Sequence, residues 1–552
     1  MVHRKSPGTL MNRRAIVLPT LILSLVFIDS RAVGAEPGIR FRDVTEQTGI
    51  DFVHSDGATG KRYIYEYVSS GMAALDYDGD GLEDLYFLSG GEPGTASASN
   101  RLYRNLGNFQ FVDVTVSSGL GGTSHSLGVA IGDFDNDGNP DVFVNNFGSN
   151  KLYCNLGDGT FQEQPSPAIE TANAVGAGTC FADIDGDGDL DIFVANYVEF
   201  DVKTHPARVF RGARIYPSPQ DFQPAPDQLI ENLGDGKFAD ISEASRVGSY
   251  AGTGMGAICG DFDNDGDADI FVCNDVMENF LYENDGTGKF TEVGLLAGVA
   301  LDFAGTRQGS MGVDTADLNG DGHMDLLVTS YQDETPVIYG GDGQGFFDDI
   351  TPEMGGLSEA APHVTWGVVA DDFDGDADID VFMASGHLMD NVSRTDDSQT
   401  YAAPNLIYAN DGDKLVYASS LTQQLGSPAK VSRGAIVSDL DGDGDGDIVV
   451  LNSRESPTVL ENLSGGSEWL TVRVIGTRGN RSAIGAAVTV VSSSGSSTKV
   501  VTSGRGYQSD FGSLLRFPVK SASSASVKVQ FGQGEPLTIQ QTGPASVTAI
   551  QP

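Results

Sequence analysis

The stretch Asp133-Phe134-Asp135-Asn136-Asp137-Gly138-Asn139-Pro140-Asp141 carries carboxylates at positions 1, 3, 5 and 9, with Gly at position 6. Hard cations such as Ca²⁺ take six to eight oxygens, and a short loop of this pattern can bring several to one point. Gly at position 6 suits the sharp turn such a loop must make. The same nine-residue pattern occurs seven times. Its candidate ligands are Asp76, Asp78, Asp80 and Asp84, then Asp133, Asp135, Asp137 and Asp141, then Asp183, Asp185, Asp187 and Asp191. They continue with Asp261, Asp263, Asp265 and Asp269, then Asp317, Asn319, Asp321 and Asp325. The last two sets are Asp372, Asp374, Asp376 and Asp380, and Asp439, Asp441, Asp443 and Asp447.

A turn needs one or two Asp, not four at fixed offsets in every copy. Four carboxylates within a few ångströms repel one another unless a cation joins them. The carbonyl at position 7 completes the expected set. An EF-hand shares the early spacing but requires a Glu at position 12 and flanking helices, which are missing. Mg²⁺ fits less well, because it prefers a tight octahedron and keeps its waters. Up to seven Ca²⁺ are therefore expected. At about ten times Kd, each would stabilise the fold by roughly 1.4 kcal/mol, so the ions read as structural. Two loops are expected to be weakest: that at Asp317, with Asn319 at position 3, and that at Asp372, with Ala377 where Gly belongs.

The loops start 50 to 78 residues apart, which signals a repeat architecture. Each follows a Gly-rich strand such as Met255-Gly256-Ala257-Ile258 and precedes an apolar run such as Ile270-Phe271-Val272. A second signature then recurs, as in Asn150-Lys151-Leu152-Tyr153-Cys154-Asn155-Leu156-Gly157-Asp158-Gly159-Thr160-Phe161, a strand, a hairpin turn and a Phe strand. Four short strands per unit and seven units describe an all-β, seven-bladed β-propeller spanning 36–466. The seventh unit lacks its Phe strand, and residues 41–52 supply one, so the N-terminal strand is expected to close the last blade. After about residue 465 the acidic loops stop, and 467–552 read as a small C-terminal β domain.

Net charge is −44, much of it placed in the loops. Nucleic acid is not an expected partner, because phosphate binding draws on Lys and Arg. Residues 1–35 read as a signal peptide: Arg13-Arg14, an apolar run from Ala15 to Ile28, then Val33-Gly34-Ala35. Removal would leave no membrane span and a secreted, periplasmic or cell-surface protein. Four cysteines permit disulfides, with Cys259–Cys273 and Cys154–Cys180 as the pairings considered and buried free thiols as the alternative. Between Tyr197 and Asp227 an insert carries Lys203, His205, Arg208, Arg211, Arg214 and Tyr216, and reads as a flap that shapes one face.

The loops resemble the FG-GAP/VCBS repeats of integrin α-subunit propellers and their bacterial relatives. The stretches Trp469-Leu470-Thr471-Val472, Gly476 to Ala486, and Gly504-Arg505-Gly506-Tyr507-Gln508-Ser509 resemble the ASPIC/UnbV domain. Together they look like the cartilage acidic protein family. Arg516-Phe517-Pro518-Val519 stands where that family usually has His-Phe-Gly-Leu-Gly. The resemblance implies an extracellular, calcium-binding protein that engages a ligand or matrix.

No G-x-S-x-G, H-E-x-x-H or P-loop motif occurs. His125, Arg307, His363, Trp366 and Arg433 stand at or near the starts of Gly-rich strands, where they form either a possible ligand face or a solvated rim. The reading is a binding or adhesion module for an extracellular protein or glycan. The alternatives are a propeller enzyme acting on polysaccharides, with His125, His363 and Arg433 in the site, and a purely structural cell-surface component.

Overall fold

The computed structural model describes residues 38–91, 99–122, 124–169, 174–465, 467–493, 495–520 and 524–552. The signal-peptide reading of 1–35 lies outside the described residues. Among the described residues no helix is long and apolar enough to cross a membrane.

Seven four-stranded antiparallel units follow one another. Blade 2 shows the plan: an inner strand His125–Gly132, the acidic loop, then Asp141–Phe147, Lys151–Asn155 and an outer strand Phe161–Glu163. The inner strands of the others are Met72–Leu75 (blade 1), Ala174–Ala182 (3), Gly254–Gly260 (4), Val313–Ala316 (5), Thr365–Asp371 (6) and Ser432–Ser438 (7). Five units are separate sheets, while blades 2 and 3 join at Val175 and Phe147 into one of eight strands. In blade 7 the outer strand is Phe41–Asp43 from the other end of the chain, with Phe41 opposite Asn462.

The Gly-rich inner strands are explained by their neighbours. A Cβ on Gly128 would lie 2.2 Å from Ala177 O, on Gly178 2.5 Å from Ala257 N, and on Gly256 2.4 Å from Met311 O. On Gly312 it would lie 2.2 Å from Trp366 O, on Gly367 2.5 Å from Ala435 N, on Gly434 2.7 Å from Ser70 O, and on Gly71 2.6 Å from Leu127 O. Each glycine faces the backbone of the next inner strand, and the last faces the first. The seven inner strands thus form a closed ring at a spacing that no side chain fits. In blades 2, 4, 6 and 7 the strand register also shifts at or beside this glycine, as a bulge does when it re-aims a strand.

The C-terminal strands form a three-stranded sheet, with Glu468–Ile475 between Leu514–Val519 and Ala545–Ile550, and a four-stranded one. Apolar side chains of both meet, including Leu470, Val472, Val488, Phe517 and Val527. The link 503–511 leaves these sheets and enters the ring. Asp510 exchanges backbone hydrogen bonds with Met72 and Ala74 in blade 1, Gln508 O accepts from Val129 in blade 2, and Gly506 pairs with Val313 in blade 5. Phe181 N–H donates to Ser503 Oγ in blade 3 and Cys259 N–H to Ser503 O in blade 4. Tyr507, fully buried, packs edge-on against Trp366 of blade 6 at 5.2 Å. The Arg505 guanidinium grips Asp314 through two hydrogen bonds of 2.6 and 3.0 Å. From the other side the segment Tyr63–Val68 closes over the ring, joining Leu127, Met255, Met311, Trp366 and Tyr507 in one apolar cluster.

Two readings are corrected. The disulfide is Cys180–Cys259, with Cα atoms 6.2 Å apart on the adjacent inner strands of blades 3 and 4; Cys154 and Cys273 are free. Cys273 pairs in register with Gly256, not Cys259, so neither local pairing forms. The ligand face also fails to form as grouped. His125, Trp366 and Arg433 are buried at 1% exposure, because Tyr63–Val68 and the flap cover the axis there. The His125 ring is enclosed by carbonyls, with Nδ1 2.8 Å from Gly91 O and Nε2 3.0 Å from Tyr65 O, and its neutral form donates to one of them. Arg433 lies 4.2 Å over the Trp366 ring and donates to the carbonyls of Tyr67, Gly386, Ser432 and His387. Arg307 is exposed and paired with Glu278, and His363 is only partly buried.

The ring spacing makes a direct prediction. Gly312→Ala should cost about 1–3 kcal/mol through forced backbone displacement, read as a fall in Tm by thermal unfolding; an unchanged Tm would contradict the ring.

Candidate metal centre

Within each loop short hydrogen bonds run from main chain to carboxylate. In blade 2, Asp133 Oδ1 and Oδ2 accept from Asp137 N–H and Gly138 N–H at 3.0 and 2.8 Å. Asp135 Oδ1 accepts from Asp137 N–H at 3.2 Å, and Asp137 Oδ1 from Asn139 N–H at 2.8 Å. Position 4 has positive φ in every loop and is always Gly or Asn, as at Gly79 and Asn136. Ala377 takes the position-6 turn at φ +83, a left-handed conformation that costs a residue with a Cβ. It still donates to Asp372 Oδ2 at 3.0 Å, as Gly138 does to Asp133.

The position-9 Asp does a different job. Asp141 Oδ2 accepts from Phe134 N–H at 3.0 Å and its Oδ1 from Asn155 N–H at 2.8 Å. The two bonds recur at Asp84, Asp191, Asp269, Asp325, Asp380 and Asp447. All seven residues are 3% exposed or less. The asparagine at the far end carries the connection to the neighbouring blade. Asn155 Nδ2 donates to Pro140 O in its own loop and to Tyr77 O in the loop of blade 1. Asn105 reaches Leu440 O, Asn232 Phe134 O, Asn284 Ile184 O, Asn410 Leu318 O and Asn462 Phe373 O. Blade 5 alone has Gly341 there, and a Cβ on it would sit 2.4 Å from Met324 O. Sequence reading missed these asparagines, although an Asn ends the third strand in six of the seven units.

The carboxylates gather closely. One oxygen each from Asp76, Asp78 and Asp84 lie within 4.8 Å of one another. The same holds for Asp133, Asp135 and Asp141, for Asp183, Asp185 and Asp191, for Asp372, Asp374 and Asp380, and for Asp261, Asp263 and Asp265. Two oxygens on opposite sides of a Ca²⁺ at 2.3–2.6 Å are about 5 Å apart, so these sets suit a single cation. Asp76, Asp261, Asp317 and Asp374 each have a buried Oδ1 with no hydrogen-bond partner, which is costly unless something positive meets it. Outside loop 1, where Arg473 already lies against Asp76 and Arg104 against Asp78 and Asp80, these residues therefore fit a hard divalent ion, held from positions 1, 3, 5 and 9.

Charge behaviour agrees. Burial pushes the carboxyl of Asp84 up to about 8, Asp141 to about 9, Asp191 to about 8 and Asp325 to about 7. Asp133, Asp183, Asp261 and Asp439 rise to about 6, again mainly by burial.

The C-terminal strands lie over these loops. Ser482 Oγ accepts from Asp133 N–H, Arg481 N–H donates to Asn136, Gln533 donates to Asn264 O, and Ser467 donates to Gly375 O. Lys499 and Arg516 both pair with buried Asp371, and despite its burial they hold that carboxyl well below the usual range.

Without a cation the raised carboxyls give a signed pH dependence. Their folded values exceed the unfolded value near 3.9, so their contribution is complete below that value and lost as pH rises through about 7–9. In EGTA, Tm should fall between about pH 5 and pH 9. In Ca²⁺ the fall should vanish or reverse, and Tm at neutral pH should rise sharply. Identical melting curves in both buffers would exclude a structural cation.

Residues 76–144, 133–194, 222–272, 261–328 and 317–383 match the FG-GAP-like repeat, and 476–551 match ASPIC and UnbV. The repeat matches cover about half of the chain. Over 326 residues the chain is 27% identical to cartilage acidic protein 1 of Mus musculus, covering 56% of this chain and 48% of that protein. The Homo sapiens protein matches at 27% over 326 residues, with 56% and 46% covered. The chain spans about half the length of the curated relatives it matches. Among solved structures, an Agrocybe aegerita lectin that recognises non-reducing terminal N-acetylglucosamine aligns at 18% identity and TM-score 0.38, covering 69% of this chain and 84% of that one.

Proposed function

Because the chain belongs to the FG-GAP-like repeat family and ends in an ASPIC and UnbV segment, we propose that it is an exported, Ca²⁺-stabilised propeller that binds an extracellular protein or glycan. The observation that carries the cation reading is the repeated carboxylate set with its buried, unpartnered oxygens. Bound Ca²⁺ would supply the positive charge that these oxygens lack. The chain's own part is to hold that geometry: position 9 is fixed by two backbone N–H groups, and positions 1, 3 and 5 by the turn ladder.

The binding surface is the face away from the C-terminal strands, because those strands cover most of the acidic loops. There the flap forms a hairpin, Arg208–Phe210 with Ala213–Ile215. It reaches across to blade 6, where Arg211 donates to Thr395 O at 2.6 Å and Asn391 donates to Arg214 O at 2.9 Å. Val209 and Phe210 at its tip are 68% and 51% exposed. Exposed apolar side chains beside cationic ones suit recognition of protein or carbohydrate. We read the protein as non-catalytic, since His125 and Arg433, two members of the enzyme alternative, are committed to main-chain carbonyls.

The test is a panel of glycans and matrix proteins probed with the full chain in Ca²⁺. Binding should be lost in EGTA, and weakened at least tenfold by Val209→Ser with Phe210→Ser, corresponding to about 1.4 kcal/mol, at unchanged Tm. Full binding by that variant would move the surface elsewhere. Polysaccharide cleavage abolished by His363→Ala would replace the reading with the enzyme.

A further inference from the structure

The seven loops are not electrically equivalent. The residue before the relay asparagine in the third strand is Arg104, Cys154, Glu231, Glu283, Gly340 (before Gly341), Ala409 and Glu461 in blades 1 to 7. In blade 2, Cys154 Sγ lies 3.3 Å from Asp135 Oδ2, so this side chain faces the position-3 carboxylate. In blade 1, Arg104 Nε lies 2.6 Å from Asp78 Oδ2, and its Nη2 lies 2.8 Å from Asp80 Oδ2. From the opposite side the C-terminal strand contributes Arg473, whose Nη2 lies 3.3 Å from Asp76 Oδ2. Three of the four candidate ligands of loop 1 therefore face guanidinium groups.

Blades 3 and 4 have the opposite charge at this position. Glu461 of blade 7 is paired with Arg42 and so is already met. A guanidinium keeps its charge at every pH; Arg104 Nη2 donates to Asp80 Oδ2, while its Nε meets Asp78 through charge alone. A divalent ion entering loop 1 would have to approach or displace two such groups.

We propose that loop 1 is closed by Arg104 and Arg473 in place of a divalent ion. This rests on the calcium reading given above. It makes blade 1 a cation-independent part of the ring, next to the blade 7 seam where Phe41–Asp43 pairs with Thr458–Asn462.

The experiment counts bound Ca²⁺ per chain by equilibrium dialysis of chelator-stripped, full-length protein, with folding checked by circular dichroism. Asp78→Asn with Asp80→Asn in blade 1 should leave the count unchanged. Asp185→Asn with Asp187→Asn in blade 3 should lower it by about one ion. Arg104→Glu with Arg473→Gln should raise it by about one. Loss of an ion from the blade 1 Asp variant, or no gain in the folded Arg variant, overturns the inference. No uptake by the unmodified protein at all would instead overturn the calcium reading.

Discussion

The clamp made by the position-9 aspartate and the third-strand asparagine is the contact on which the rest of the propeller depends. One buried carboxylate takes a hydrogen bond from its own loop and another from the strand beyond. The asparagine that supplies the second then reaches the loop of the preceding blade. Strand, loop and neighbouring blade are thereby tied through two side chains. Asn105 bonded to Leu440 O carries the same tie from blade 1 back to blade 7. Burial makes each bond count, because a stranded donor or acceptor inside this layer would cost the full desolvation penalty. The same burial raises the carboxyl pKa, so the structure that needs the carboxylate charged also resists charging it. A bound cation would resolve that conflict without disturbing the backbone bonds.

The ring is closed a second time at its axis. Seven glycines let seven inner strands approach edge to edge, and the link 503–511 fills the remaining space. The C-terminal strands are therefore not an appendage: residues 38–552 form one compact unit. Buried ion pairs fix the register of the insertion. Arg505 with Asp314, and Arg516 with Lys499 around Asp371, would each leave an uncompensated buried charge if one partner were removed.

This placement divides the molecule functionally. The loop-bearing face is largely covered by the C-terminal strands, whose arginines also reach two position-1 aspartates. The opposite face is built from the flap, the segment Tyr63–Val68 and the blade 6 loop near Asn391. Its apolar side chains are mostly turned inward, around Tyr63, Tyr65, Phe200 and Tyr216. What remains outward at the flap tip is a short hairpin with two exposed apolar residues between arginines.

Strand order, the repeat and the acidic loops are legible in the sequence because they depend on local rules. Period-two alternation, Gly or Asn at turn positions and Asp at fixed offsets act within nine residues or less. The family likeness of the loops and of the C-terminal segment is legible for the same reason. Long-range geometry was not. Cys180 finds Cys259 rather than a nearer partner because adjacent inner strands bring them together across 79 residues. His125, Trp366 and Arg433 look like a surface cluster along the chain, yet Tyr63–Val68 covers them. Asn155 carries no signal of its own in the sequence, because its partner, Tyr77 O, lies on the neighbouring blade. Arg516 looks like a lapse from a pattern until Asp371 is found buried beside it. The sequence by itself determined which oxygen ligands each loop presents, since their identity and spacing are local. Only the tertiary structure decided which side chains are exposed, which charges are already met and where the tail is seated. Those depend on contacts between segments hundreds of residues apart, set by closure of the ring.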